Sequence, residues 1–170
     1  RAIGLADTRP HLYLRGNVGS IFRQTLVDIA KKHNVVERVH FLDIASPAEM
    51  VSLCRPYAVG LASETGHTLN RQIALTNKQF TYLLAGLPSL LSDIPAHVRF
   101  AEEAQGAAFL FRKDDAASLA QVLDDVLGSM GKLERARKVA WHLGQTKFNW
   151  EEEQGKLISL VSLLDSTKAF

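Results

Sequence analysis

An α/β fold is what this 170-residue chain predicts: a parallel sheet of about five or six strands with helices on both faces, followed by C-terminal helices. Three observations carry that reading. Short apolar runs alternate with stretches of helical period over roughly the first two thirds of the chain. The run from Tyr57 to Leu61 is almost continuously apolar, as in strands covered on both faces. The last third carries helical periodicity alone.

The elements follow in order. Arg1 to Ala6 reads as the tail of a helix, and His11 to Arg15 as a strand ending at Gly16. Ser20 is placed to cap a helix reaching about His33, with Ile21, Phe22, Leu26 and Ile29 on its buried face. Arg38 to Leu42 is the second strand. Ser46, Pro47 and Glu49 spell a capping box with proline at the first helical position, opening a short helix to about Arg55. The third strand, Tyr57 to Leu61, leads into a polar loop that begins at Glu64. Thr76 and Gln79 repeat the capping-box pattern, Phe80, Leu83 and Leu84 share a helical face, and Gly86 stands where a left-handed cap belongs. Pro88 opens a fourth strand that runs to Asp93.

Beyond it, Pro95 to Gln105 reads as a short helix and Ala107 to Phe111 as a fifth strand. Asp114 or Asp115 caps a helix bearing Leu119, Val122, Leu123, Val126 and Leu127. Gly128 and Gly131 flank a break before a more basic helix, Leu133 to about Lys147. Asn149 caps the last helix, whose Leu157, Leu160, Val161 and Leu164 form an apolar stripe. Glu151, Glu152 and Glu153 in its first turn complement the helix dipole, which accounts for them without a catalytic or metal role.

Composition bounds the function. Hydrophobic content of 46% and a mean hydropathy of -0.02 are those of one soluble globular domain over residues 1–170. No run approaches a membrane span and no signal peptide is visible; Arg1 rather than methionine opens the chain. A net charge of +2 leaves none of the basic footprint of nucleic-acid binding. The single cysteine, Cys54, lies among Met50, Val51 and Leu53 and reads as a core or near-core thiol, so a reducing, cytoplasmic setting is expected.

Ligands of a parallel α/β sheet bind beyond the carboxyl ends of its strands. Here those ends are Gly16-Asn17, Asp43-Ile44, Ser63-Glu64, Ser92-Asp93 and Arg112-Lys113. The helix opening at Thr76 puts Thr76, Asn77 and Lys78 on this rim, and unpaired N–H groups at a helix start attract anions, phosphate above all. A lysine there works against the helix dipole. Lys78 is therefore either an anion ligand or an ordinary surface lysine, and its removal is expected to leave folding untouched or slightly improved. The six histidines show no metal-ligand spacing; His67, beside Gly66, is a loop histidine within reach of a ligand or simply solvated. Gly-x-Ser-x-Gly, P-loop and Gly-x-Gly-x-x-Gly motifs are absent. Glu102-Glu103 and Asp124-Asp125 are helix neighbours that do not share a face, so neither makes a catalytic dyad.

The segments HLYLRGN, RVHFLDIASPAEMVSL, YAVGLASE, LNRQIALTNKQFTYLLAGLPSLLSD and FNWEEE, in that order, resemble the carboxy-terminal lobe of family 4 glycosyltransferases over nearly the whole chain. NKQFTYLLAGLPSLLSD is the most specific of them. The resemblance implies a Rossmann-like lobe that holds a UDP- or GDP-linked sugar in a two-lobed (GT-B) enzyme, with transfer usually retaining and no essential metal or cofactor. It implies that Glu64 approaches the donor sugar as the catalytic acidic residue. Lys78 and the N–H groups around Asn77 would hold the diphosphate, Ile44 would pack the base, and Asn70 and Arg71 match an Asn-Arg pair of some members. Arg15, Gly16, Asn17 and Thr76 join the donor site on the same rim. Thr81 departs from the glutamate that many relatives use for the ribose hydroxyls, and threonine cannot make that bidentate pair.

By the same resemblance the amino-terminal lobe and the first strand of this lobe lie outside the chain, and FNWEEE opens a helix that crosses back to the other lobe. The fragment alone is then expected to be inactive, with apolar faces near Arg1 and Phe170 that the other lobe covers, and membrane association is compatible with the parent. The alternative is a non-catalytic nucleotide-binding or interaction module of the same fold.

Overall fold

The computed structural model describes residues 1–167, and side chains through residue 163. Five strands are parallel to their neighbours: β1 (Leu12–Arg15), β2 (Val39–Leu42), β3 (Gly60–Ala62), β4 (Ser89–Ser92) and β5 (Ala108–Phe111). Helices α1 (Ala2–Leu5), α2 (Ser20–Lys32), α3 (Met50–Cys54), α4 (Leu69–Ile73), α5 (Asn77–Leu84), α6 (Pro95–Glu103), α7 (Ala116–Leu127), α8 (Met130–Thr146) and α9 (Trp150–Thr167) connect and cover them.

The single sheet expected from the sequence is divided. β1 pairs with β2, and β3-β4-β5 form a second sheet. The doubly wound strand order 3-2-1-4-5-6, with its first strand left out, reproduces this pairing: β1 and β3 would each flank that strand, and each has one strand partner here. The ring of Tyr13 on β1 lies 4.9 Å from that of Tyr57, just ahead of β3.

β4 is the spine of the larger sheet, buried at all four residues. Successive side chains of a strand point to opposite faces, so the adjacent leucines of β4, Leu90 and Leu91, enter different cores. Leu91 joins Ala62, Leu83, Phe100, Ala104 and Ala140 on the α5–α6–α8 side, while Leu90 joins Ala6, Phe111, Ala120, Leu123 and Val126 on the α1–α7 side. Two glycines shape the end and the packing of α5. Gly86 ends it at φ 70°, the left-handed cap expected of it. At Gly144 of α8 a Cβ would lie 2.7 Å from the Leu83 carbonyl, so α8 meets α5 backbone to side-chain-free backbone.

Several local expectations hold: the Ser46–Glu49 capping box, the Asp115 cap accepting from Ala117 and Ser118, and the Asn149 cap accepting from Glu152. Others are corrected. α2 begins at Ser20 with Gly19 as its cap, and its expected inner face is largely open: Ile21 and Phe22 are 85% and 61% exposed, Ile29 is exposed, Leu26 is half-buried and Ala30 alone is buried. A two-stranded sheet offers too little surface to cover a thirteen-residue helix. Residues 69–73, read as loop, form α4, capped by Thr68 accepting from the Arg71 N–H. α8 starts before Gly131 rather than after it. Near Arg1 the apolar face is partly covered, since Ala2 and Ala6 are buried and α1 packs on α7. Asp124 ties that end down by accepting from Asp7 and Thr8, while Asp125 pairs with Lys132. α9 exposes Leu157, Leu160 and Val161; the Leu164 side chain and Phe170 lie outside the described residues.

Candidate functional site at the carboxyl rim

Three chain segments converge past the carboxyl ends of β3 and β4. Tyr82 fixes α5 against β3 by donating to the Leu61 carbonyl at 3.1 Å, and burial raises its phenol to about 12. The Glu64 N–H donates to Ser92 Oγ at 2.9 Å, and the Ser92 hydroxyl donates back to the Glu64 carbonyl at 2.8 Å. This reciprocal pair holds the first residues beyond β3 to the last residue of β4.

Glu64 is only 8% exposed, yet both its oxygens are engaged by cations. Arg71 of α4 donates to Oε2 at 2.9 Å, and Lys78 of α5 donates to Oε1 at 3.2 Å. Burial pushes the Glu64 carboxyl upward, but the bonds and charges of Lys78 and then Arg71 outweigh it and hold the group below the usual glutamate range. The two cations remain about half exposed. The rim therefore presents a fixed anion held by Arg71 of α4 and by Lys78 in the first turn of α5, where unpaired N–H groups add partial positive charge.

Beneath it runs a buried polar chain. Thr76 donates to Gln79 Oε1 at 2.9 Å, so the second capping box expected from the sequence is replaced by a side-chain bond. Gln79 Nε2 lies 2.6 Å from His97 Nε2, and His97 Nδ1 lies 2.8 Å from the Ser92 carbonyl. A carbonyl can only accept, so Nδ1 carries the proton and Nε2 accepts from Gln79. Burial lowers the His97 pKa, against the opposing Ser92 bond and the nearby Glu64 charge.

Of the residues singled out from the sequence, the structure brings together Glu64, Arg71 and Lys78, with Thr76 joined through Gln79. Arg15 instead donates to the Asp43 carbonyl at 2.9 Å, the Gly16 N–H donates to Leu42, and Asn17 is exposed. Ile44 is 73% exposed and Asn70 is exposed. The Thr81 hydroxyl turns back on the Asn77 carbonyl at 3.0 Å. His67 pairs with Thr65 rather than with the cluster. Among the described residues no three His, Cys, Asp or Glu side chains gather in a metal-like group, and no helix is long and apolar enough to cross a membrane. Cys54 is half-buried and its thiol is pushed up by burial. Gln79 and His97 are the participants that sequence reasoning missed. Their signal was present: Gln79 stands four residues before Leu83 and His97 three before Phe100, polar groups on otherwise buried stripes.

No protein-family profile and no curated protein sequence matches this chain. Solved structures do. HepE of Anabaena, solved in complex with UDP, superposes with a TM-score of 0.78 at 15% identity, covering 95% of this chain and 43% of its own. Sucrose-phosphate synthase from Thermosynechococcus elongatus gives 0.78 at 16% identity, covering 98% and 42%. WaaG, a glycosyltransferase involved in lipopolysaccharide biosynthesis, gives 0.68 at 16%, covering 92% and 41%. The chain thus has the fold of one lobe of the GT-B glycosyltransferases and spans about two fifths of the length of these solved chains.

Proposed function

We propose that this chain is the donor-binding lobe of a glycosyltransferase, which takes a nucleoside diphosphate sugar at the rim beyond β3 and β4 and works with a second lobe that supplies the acceptor. The observation that carries this reading is Glu64, nearly buried and held by two half-exposed cations, one of them, Lys78, at the start of α5. HepE, of the same fold, has been solved with UDP and with UDP-glucose.

The chemistry follows from the bonds already present. Lys78 and Arg71 neutralise Glu64 in the free protein. A diphosphate arriving at the α5 N-terminus offers them further charge-assisted partners, with the helix-start N–H groups beside them. Their transfer to phosphate releases the Glu64 carboxylate oxygens, on a backbone still held by Ser92, to accept hydrogen bonds from the sugar. In this reading the backbone N–H groups around Asn77 face the diphosphate, Asn70 and Thr76 border it, and Arg15, Gly16, Asn17 and Ile44 line the nucleoside side.

Lys78→Ala is the direct test. Loss of one charge-assisted bond worth roughly 1.5–3 kcal/mol weakens UDP or UDP-glucose binding by about 10-fold to 100-fold in calorimetric titration. The Glu64 pairing changes the stability expectation drawn from the helix dipole alone: with Lys78 gone a nearly buried carboxylate keeps one cation, and folding loses roughly 1 kcal/mol or less, since the lysine is half exposed. Equal affinities in the two proteins place the diphosphate elsewhere. A second reading, a nucleotide-binding module without transferase activity, is favoured by Thr81, whose hydroxyl is already spent on Asn77. Thr81→Glu separates the two: tighter UDP binding and transfer by the parent enzyme favour the enzyme, whereas tighter binding without transfer favours the module.

A further inference from the structure

The buried chain under the rim has one direction. Thr76 donates to Gln79, Gln79 to His97, His97 to the Ser92 carbonyl, and the Ser92 hydroxyl to the Glu64 carbonyl. Gln79 and His97 are fully buried, Ser92 is 1% exposed and Glu64 8%. Four segments are thereby joined: the entry to α5, the first turn of α6, the end of β4 and the end of β3. A histidine at a purely structural core position needs partners but has no reason to link the two sides of a rim. This one does, because its acceptor nitrogen reaches the helix that carries Lys78 and its donor nitrogen reaches the strand that anchors Glu64.

We infer that His97 is a positioning residue for the rim, holding Glu64 and the α5 N-terminus at a fixed separation through Ser92 and Gln79. This rests on the reading of the rim as a donor site. Neutral imidazole with its proton on Nδ1 is the form that fits; a second proton on Nε2 would face the Gln79 amide and force it to turn over, reversing its bond to Thr76. The charges facing His97 are Glu64, which favours that proton, and Lys78, which opposes it.

The test uses amide hydrogen exchange together with calorimetry on three variants. In His97→Ala, exchange at the Glu64 N–H is expected to rise at least about tenfold beyond any rise at Leu90 and Leu91 of β4, and UDP-glucose affinity to fall about tenfold. His97→Asn keeps a donor for the Ser92 carbonyl and is expected to restore Glu64 protection while leaving affinity reduced, because the Gln79 link stays broken. Ser92→Ala should free the Glu64 N–H with the histidine intact. Uniform acceleration at Glu64 and β4, unchanged Glu64 exchange, or unchanged affinity in His97→Ala each overturns the inference. Should the unsubstituted protein not bind UDP-glucose at all, the donor reading fails, and a positioning role for His97 stands or falls on Glu64 exchange alone.

Discussion

The two sheets are built from similar words and end in different states. β4 is wholly buried between an α5–α6–α8 layer and an α1–α7 layer, whereas every residue of β2 is half-buried and β1 exposes Tyr13. Over β1–β2 the contacts are those of a surface: Arg23 stacks 4.7 Å from the Phe41 ring centroid, and Tyr13 stacks on His40 at 4.4 Å. The lesson is that an apolar strand pattern specifies a strand, while burial is a property of what packs on it. The candidate site sits on the well-packed half, where positions can be held to a few tenths of an ångström.

The largest expected effect breaks this symmetry directly. Leu91→Ala, at a fully buried position, should cost about 2–5 kcal/mol in denaturant unfolding, and the half-buried Leu14→Ala less than half as much. Equal costs would mean that β1 is as tightly covered as β4.

Acidification tests the polar half of the comparison. Glu64 has its pKa lowered on folding, so the stability it contributes is present above the ordinary glutamate value of 4.5 and is lost as pH falls through the folded value. His97 is also lowered, here by burial: the unfolded histidine binds protons first, so stability is lost as pH falls from about 6.5 through the folded value. Tm measured against pH should therefore decline through the histidine range and again through the carboxylate range. His97→Asn should shrink the upper decline, to which His33, also lowered, still contributes.

Smaller effects sharpen the picture. Ser89 Oγ is buried and has no hydrogen-bond partner among the described residues, so Ser89→Ala should stabilise the chain by about 1 kcal/mol. Ile21→Ser, on the open face of α2, should move stability by no more than about 0.5 kcal/mol. A larger loss would show that this face is covered in solution.

Local chemistry was legible in the amino-acid order. Strand–helix alternation, the caps at Ser46, Asp115 and Asn149, and the left-handed stop at Gly86 each depend on residues within about four positions of one another, so a one-dimensional reading reaches them. Glu64 and Lys78 were likewise singled out by their places at a strand end and a helix start.

Tertiary structure alone decided the rest. Whether five strands make one sheet or two depends on which edges find hydrogen-bond partners, and β1 and β3 do not find each other. The face of α2 that looked buried is open because only a two-stranded sheet lies under it. Glu64 meets partners at Arg71, Lys78 and Ser92, the last 28 residues away, and His97 meets Gln79 across 18. Such contacts carry no sequence signature beyond a polar residue on an apolar stripe, because the acceptor that satisfies a buried donor is chosen by how helices and strands stack in space, not by their order along the chain.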